Sequence, residues 1–301
     1  GRAANQNGNH DIAKEWWAKA AQHPTVFYGQ LGHIALNPNQ PLALPAQTEA
    51  TKNQKLAYET EELGQMLRYL ANTGNPKLFD RFIQHLGNTE EEPKRLAALA
   101  SLAGEMGGVA REVKVAKLSL RKQILLISSG WPRLELPQTI GVEPALALAI
   151  TRQESEFDPY ARSSANARGL MQLLPSTAQH IARKNDLPYN ENSLENPVEN
   201  IILGTSYLGQ IIRGFDGSYI LGIASYNAGP GSVRKWITEM GYPPKNLPDA
   251  LNWIESIPYG ETRNYVMRVL ENTQIYRTFD SPQTPDRKST RLNSSHLGIS
   301  R

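Results

Sequence analysis

Cysteine is absent from the 301-residue chain. That one absence removes disulfides, thiolate metal sites and thiol nucleophiles, and it is compatible with an oxidising compartment. Long apolar runs are missing too. The longest, Ala145–Ile150, falls far short of the ~20 residues that cross a bilayer. A surplus of one charge sign is also lacking. The 32 Lys+Arg exceed the 29 Asp+Glu by three, and residues 286–301 hold four of the bases and one acid, leaving 28 of each elsewhere. Attraction to a polyanion therefore cannot rest on net charge. No GxxxxGK or GxGxxG phosphate loop occurs. The histidines before the tail (His10, His23, His33, His85, His180) never fall at ligand spacing, so neither metal nor cofactor is expected. No clustered basic face stands out for nucleic acid.

What remains is helical periodicity in a chain with an ordinary globular composition, 40% hydrophobic and 20% charged. Ile12, Trp16 and Ala20 recur at i, i+4, i+8, and Pro24 opens a second helix. Asn37–Thr48, with three prolines, reads as a loop. Further helices are predicted at roughly 53–72, 76–86, 89–106 and 109–129, with stops at Gly74, Gly87 and the Gly107–Gly108 pair. Strand-like alternation is not found. Two prolines in Trp131–Gln138 mark a change of unit. The fold class is all-α: a helical, solenoid-like part over 1–138, then a second helical unit over 139–280. In the latter, Asn196-Pro197 and Ser218 read as helix starts, Gly229 and Gly231 as stops, and Ser232 as a further cap. Residues 281–301 read as a disordered tail. Within it, 286–296 (DRKSTRLNSSH) resembles the translation of a sequencing-library adapter, and 286–301 are set aside from fold reasoning. The start at Gly1, without a signal segment, leads to the expectation of a piece of a longer protein.

The chemistry concentrates in the second unit. Pro144–Glu156 (PALALAITRQESE) is apolar almost all round at first, as a core helix should be. Leu146, Ile150 and Glu154 share a face, which sets one carboxylate at the edge of a buried stripe near a helix end. Burial and the negative end of the helix dipole both disfavour its ionised form, and an acid held protonated near neutral pH suits general acid catalysis. The plain alternative is an ion pair with Arg152 or a later arginine. Glu156 points away from that face, and Asp158 precedes Pro159, where the helix must end.

Four blocks occur in order: Glu154-Ser155, GLMQ at Gly169–Gln172, SYNAGPG at Ser225–Gly231, and IPYGETRNYV at Ile257–Val266. Together they resemble the soluble lytic transglycosylases, lysozyme-like enzymes of the bacterial cell wall, over about 140 residues from Gly141 to Asp280. The N-terminal half, with Trp16-Trp17 and PTVFYGQL, is more loosely similar to that family's superhelical linker region. Leu174 and Ser225 depart from the usual pattern, as packing changes that leave the polar groups in place.

The resemblance implies a single catalytic residue, Glu154, acting as acid and then base on the MurNAc–GlcNAc bond and closing a 1,6-anhydro ring. It implies Ser163, Met171, Gln172, Tyr226 and Asn227 along a glycan groove, Glu261 across it as a binding or orienting residue, and Tyr265 positioning Glu154 or the sugar. Peptidoglycan strands are the implied partner, with cell-wall synthases as further ones, and the periplasm is the implied location. A goose-type lysozyme hydrolysing the same bond and a non-catalytic glycan-binding scaffold are the competing readings. The ETR block favours the transglycosylase over the former, and the intact Glu154, Gln172 and Tyr226-Asn227 argue against the latter.

Overall fold

The computed structural model describes residues 1–139, 141–190 and 192–280, and among these every regular element is a helix. The first part holds α1 (Arg2–Gln6), α2 (His10–Ala21), α3 (Phe27–Leu36), α4 (Lys52–Thr60), α5 (Glu62–Asn72), α6 (Pro76–Thr89), α7 (Pro93–Gly107), α8 (Val109–Leu120) and α9 (Ile127–Gly130). The second holds α10 (Pro144–Ser155), α11 (Pro175–Lys184), α12 (Pro197–Gly214), α13 (Tyr219–Ala228), α14 (Pro230–Met240), α15 (Leu247–Glu255) and α16 (Gly260–Asp280). The expected tail from 281 onward, adapter-like segment included, lies outside the described residues.

Local chemistry explains most boundaries. Asn75 and Asn196 each accept backbone N–H bonds at the start of a helix whose first residue is proline, and Ser218 caps α13. Several expectations are corrected. Gly87, read as a stop, lies inside α6, and the helix expected to open at Pro24 starts at Phe27. The helix predicted over 53–72 is two, because Glu61 adopts extended backbone (ψ 163°) between α4 and α5. The corner is tight enough to require glycine at 64, where a Cβ would lie 2.2 Å from the Tyr58 carbonyl oxygen. The helix predicted over 109–129 ends at Leu120, where Ile124 N–H turns back to the Ser119 carbonyl and Gln123 takes a positive φ of 62°. Ser232 does not cap a helix. Gly229 (φ 81°) ends α13 and starts α14 directly, which puts Gly231 and Ser232 inside α14.

One core gathers Leu67, Ile83, Leu96, Leu99 and Leu102 of α5–α7. A larger one gathers Leu146, Ile150, Leu208, Ile223, Val266 and Leu270 of the second part together with Phe27, Val113, Ile127 and Trp131 of the first. The proline-flanked connection is thus not a break in packing. Polar contacts reinforce the seam. Glu271 on α16 accepts from the backbone N–H of Phe27 (2.6 Å), satisfying an amide that α3 cannot satisfy from within, and Gln30 donates to the Glu271 carbonyl (3.0 Å). Next along α16, Asn272 accepts from the Trp131 indole (2.7 Å).

Candidate active site

α10 runs through the larger core with Ala145–Arg152 all buried. Its start is tied to α16 by an ion pair of Glu143 with Arg277 (2.5 Å). At its other end Arg152 turns away from Glu154: its Nε donates to the Gly130 carbonyl (2.6 Å) and its guanidinium lies 4.6 Å over the Trp131 ring. The ion pair weighed as the alternative role for Glu154 is therefore not formed with Arg152. The helix stops as Glu156 and Phe157 take left-handed backbone (φ 53° and 68°). Glu156, held in that conformation, pairs with Lys117 of α8. Asp158 accepts from the Tyr160 N–H (2.9 Å) in the turn that follows.

Glu154 is partly buried, and the Tyr265 hydroxyl of α16 donates to its Oε1 at 2.5 Å. Burial pushes its carboxyl up to about 7. The Tyr265 bond opposes that rise, and the negative charge of Glu261 adds to it. Glu261 itself is exposed at the start of α16. Burial and the charge of Glu154 push Tyr226 and Tyr265 well above the usual tyrosine range, so both hydroxyls stay protonated donors. The structure thus brings Glu154, Tyr226 and Tyr265 into one cluster, with the field of Glu261 reaching it.

The other sequence-derived positions surround this cluster in supporting roles. Tyr226 at the end of α13 donates to the Met171 carbonyl (2.7 Å) and packs against Tyr207, ring centroids 5.5 Å apart. Asn227 accepts at Oδ1 from Thr262 (2.6 Å). Gln172 (φ 48°) donates to the carbonyls of Ala161 (2.9 Å) and Gly169 (3.0 Å), so its amide nitrogen holds the loop. Ser163 is exposed, and its hydroxyl accepts from Ala167 N–H (3.0 Å) in the same loop. Met171 differs from expectation. Its side chain is fully buried, against Gly204 of α12, whose missing Cβ makes the room; only its backbone serves the cluster.

Several supports had no assigned role in the sequence. Ser155 donates to the Leu170 carbonyl (2.8 Å), seating the GLMQ loop on the end of α10 beside Glu154. Asn200, wholly buried, accepts from Met171 N–H (2.8 Å) and donates to the carbonyls of Arg168 (3.0 Å) and Leu194 (2.8 Å). Thr262, inside the ETR block, anchors Asn227. No cluster of potential metal ligands exists among the described residues, and no described helix is long and apolar enough to cross a membrane. A cavity of about 430 Å³ lined by Leu136, Pro144, Leu148, Tyr276 and Phe279 sits at the opposite end of α10 from Glu154.

Residues 135–247 match the family described as Transglycosylase SLT domain, and residues 256–282 match the Soluble lytic transglycosylase helical domain. The second match falls mainly on α16, not on the N-terminal helices whose sequence resembles a superhelical linker. The soluble lytic murein transglycosylase of Escherichia coli K12 is 40% identical over 147 residues, covering 48% of this chain and 21% of that protein. A crystal structure of lytic transglycosylase Slt from Pseudomonas aeruginosa, an inactive variant with Gln in place of a Glu, superposes with a TM-score of 0.74 and 30% identity over 90% of this chain and 44% of that one. The 70-kDa soluble lytic transglycosylase of Escherichia coli gives a TM-score of 0.73 and 25% identity over 96% of this chain and 46% of its own. This chain spans less than half the length of each of these proteins.

Proposed function

The segment from Glu135 to Leu247 belongs to the transglycosylase SLT family, and on that footing we propose that this chain cleaves the glycan strands of murein as a lytic transglycosylase. The observation that carries the proposal is Glu154: one carboxyl, pushed up to about 7 by burial and held by Tyr265, within a cluster into which no second carboxylate among the described residues is bonded. Glycosidases that work through two carboxylates keep them roughly 5–9.5 Å apart on either side of the scissile bond. With one, the substrate must supply the second group.

Protonated Glu154 gives its proton to the oxygen linking N-acetylmuramic acid to N-acetylglucosamine, and the glycosidic bond breaks toward that oxygen. The 2-acetamido carbonyl oxygen of the muramyl residue bonds to the anomeric carbon and carries the positive charge. Glu154, now ionised, removes the proton from the C6 hydroxyl. O6 then displaces the acetamido oxygen and closes the 1,6-anhydro ring. No water enters, and Glu154 ends protonated, ready for the next turnover. A carboxyl near 7 is balanced for donating and then accepting within one cycle at neutral pH. Tyr265 fixes which oxygen faces the sugar, and Tyr226, Asn227 and Glu261 orient its polar groups. The reading sets the protein where murein lies, in the periplasm, and cell-wall synthases are natural partners for such a cleavage.

Mass spectrometry of the muropeptides released from purified murein sacculi tests the reading. Products one water lighter than hydrolytic fragments are expected, and reducing-end products would replace the transglycosylase by a lysozyme-type hydrolase. Binding without any cleavage would leave a glycan-binding scaffold.

A further inference from the structure

The turn carrying Arg162 and Arg168 holds chemistry that the cleavage reaction does not use. The two residues face each other in an antiparallel β-bridge, which puts both side chains on one face. Like charges placed directly opposite in this way are unfavourable. Both guanidinium groups converge on a single neutral acceptor: Asn166 Oδ1 takes Arg162 Nη2 (2.7 Å), Arg162 Nε (3.0 Å) and Arg168 Nε (3.1 Å). Among the described residues no carboxylate lies within ion-pair distance of either arginine. The acids nearest in sequence are engaged elsewhere, Glu156 with Lys117 and Asp158 with the Tyr160 amide. The terminal nitrogens of Arg168 make no hydrogen bond among the described residues, which leaves the two-pronged edge by which arginine grips a carboxylate.

The turn is coupled to the catalytic cluster. Arg168 exchanges backbone hydrogen bonds with Leu173 (2.9 and 3.1 Å), Gln172 ties it to Ala161, and Ser155 beside Glu154 holds Leu170. We propose that Arg162 and Arg168 form a carboxylate-binding site for the acidic substituent of the muramyl sugar. The proposal rests on the murein-cleaving reading. The shared chemistry has two sources: the free lactyl carboxyl group of a peptide-free strand, or the carboxylates of the peptide on a substituted one.

The test compares the wild-type chain with Arg162→Gln/Arg168→Gln on peptide-bearing glycan strands and on strands stripped of peptide. An increase in KM of about tenfold with kcat held is expected, the order lost with a charge-assisted contact. An increase confined to peptide-bearing strands assigns the peptide carboxylates, one confined to stripped strands assigns the free lactyl carboxyl, and one on both shows that the site takes either carboxylate. An unchanged KM on both overturns the site. Murein whose carboxylates have been converted to amides probes the same contact with the wild-type protein, should the double variant fail to fold; it must show the raised KM, and unaltered KM there also overturns the proposal. Calorimetric titration with a soluble muramyl peptide separates the two readings. Absence of cleavage with arginine-dependent binding sinks the enzymatic reading alone, whereas binding that is indifferent to both arginines sinks this one.

Discussion

The Tyr265 hydroxyl donates to Glu154 Oε1 at 2.5 Å, joining the last long helix to the end of the core helix across 111 residues of sequence. Two opposed effects meet there. Burial favours the neutral carboxyl, and a donor aimed at the carboxylate favours the charged one. Burial prevails, and the group sits near 7.

Tyr265→Phe removes the opposing bond and leaves the burial. The carboxyl should then rise further, and the alkaline limb of kcat/KM, set near pH 7 in the wild type by loss of the acid form, should move to higher pH. The pH profile on purified murein checks this; a limb that stays in place or moves to lower pH refutes the assigned direction.

Glu154→Gln should abolish cleavage and leave the fold intact. The stability change has a definite sign. A carboxyl whose folded value lies above its unfolded value binds more protons when folded, so the wild type loses stability as pH rises from about 4.5 to about 7. The glutamine variant escapes that loss. It should be more stable than the wild type above pH 7, by up to about 3 kcal/mol, with the gap closing below pH 4.5. Denaturation midpoints at pH 4 and pH 8 measure it, and turnover like that of the wild type would remove Glu154 from the mechanism.

The reach of the sequence is clear at particular residues. Glu154 was legible because a helix that is apolar all round leaves a polar residue conspicuous, and Asn196-Pro197 and Ser218 because caps are local. Breaks that depend on close approach, such as Glu61 beside Gly64, have no local signature. Nor do partnerships such as Asn227 with Thr262 or Asn200 with Met171, since only folding brings the partners together. Met171 shows the converse. A motif drew it toward the substrate, while packing against Gly204 puts its side chain in the core.

Thr262 is buried with its hydroxyl 2.6 Å from Asn227 Oδ1. Thr262→Val keeps the shape and deletes the donor, freeing the Asn227 amide to rotate. A loss in kcat/KM worth about 1 kcal/mol, roughly fivefold, is expected, with Tyr226 and Glu154 untouched. Steady-state kinetics on murein decide it, and unchanged kinetics would show that the orientation of Asn227 is irrelevant.

Glu271 joins the two parts of the molecule. Its carboxylate accepts from Phe27 N–H and from Arg268 (2.8 Å), and burial pushes its pKa up. Glu271→Ala leaves the Phe27 amide buried and unpaired, which costs about 1–3 kcal/mol. Proteolysis should then release the N-terminal helices more readily than in the wild type. Identical cleavage patterns for the two proteins would show that packing around Phe27 alone holds the seam.

Ser225 precedes Tyr226 in the cluster and is fully buried, yet its hydroxyl finds no hydrogen-bond partner among the described residues. An unpaired buried hydroxyl is a net cost, because the water it gave up is not replaced. Ser225→Ala removes that cost without opening much space. It should stabilise the protein by up to about 1 kcal/mol, seen as a higher urea midpoint at an unchanged m value. Its effect on cleavage should be small, because Tyr226 keeps its bond to the Met171 carbonyl. A destabilised variant would mean that the hydroxyl has a polar partner in solution, and with it a part in holding Tyr226 against Glu154.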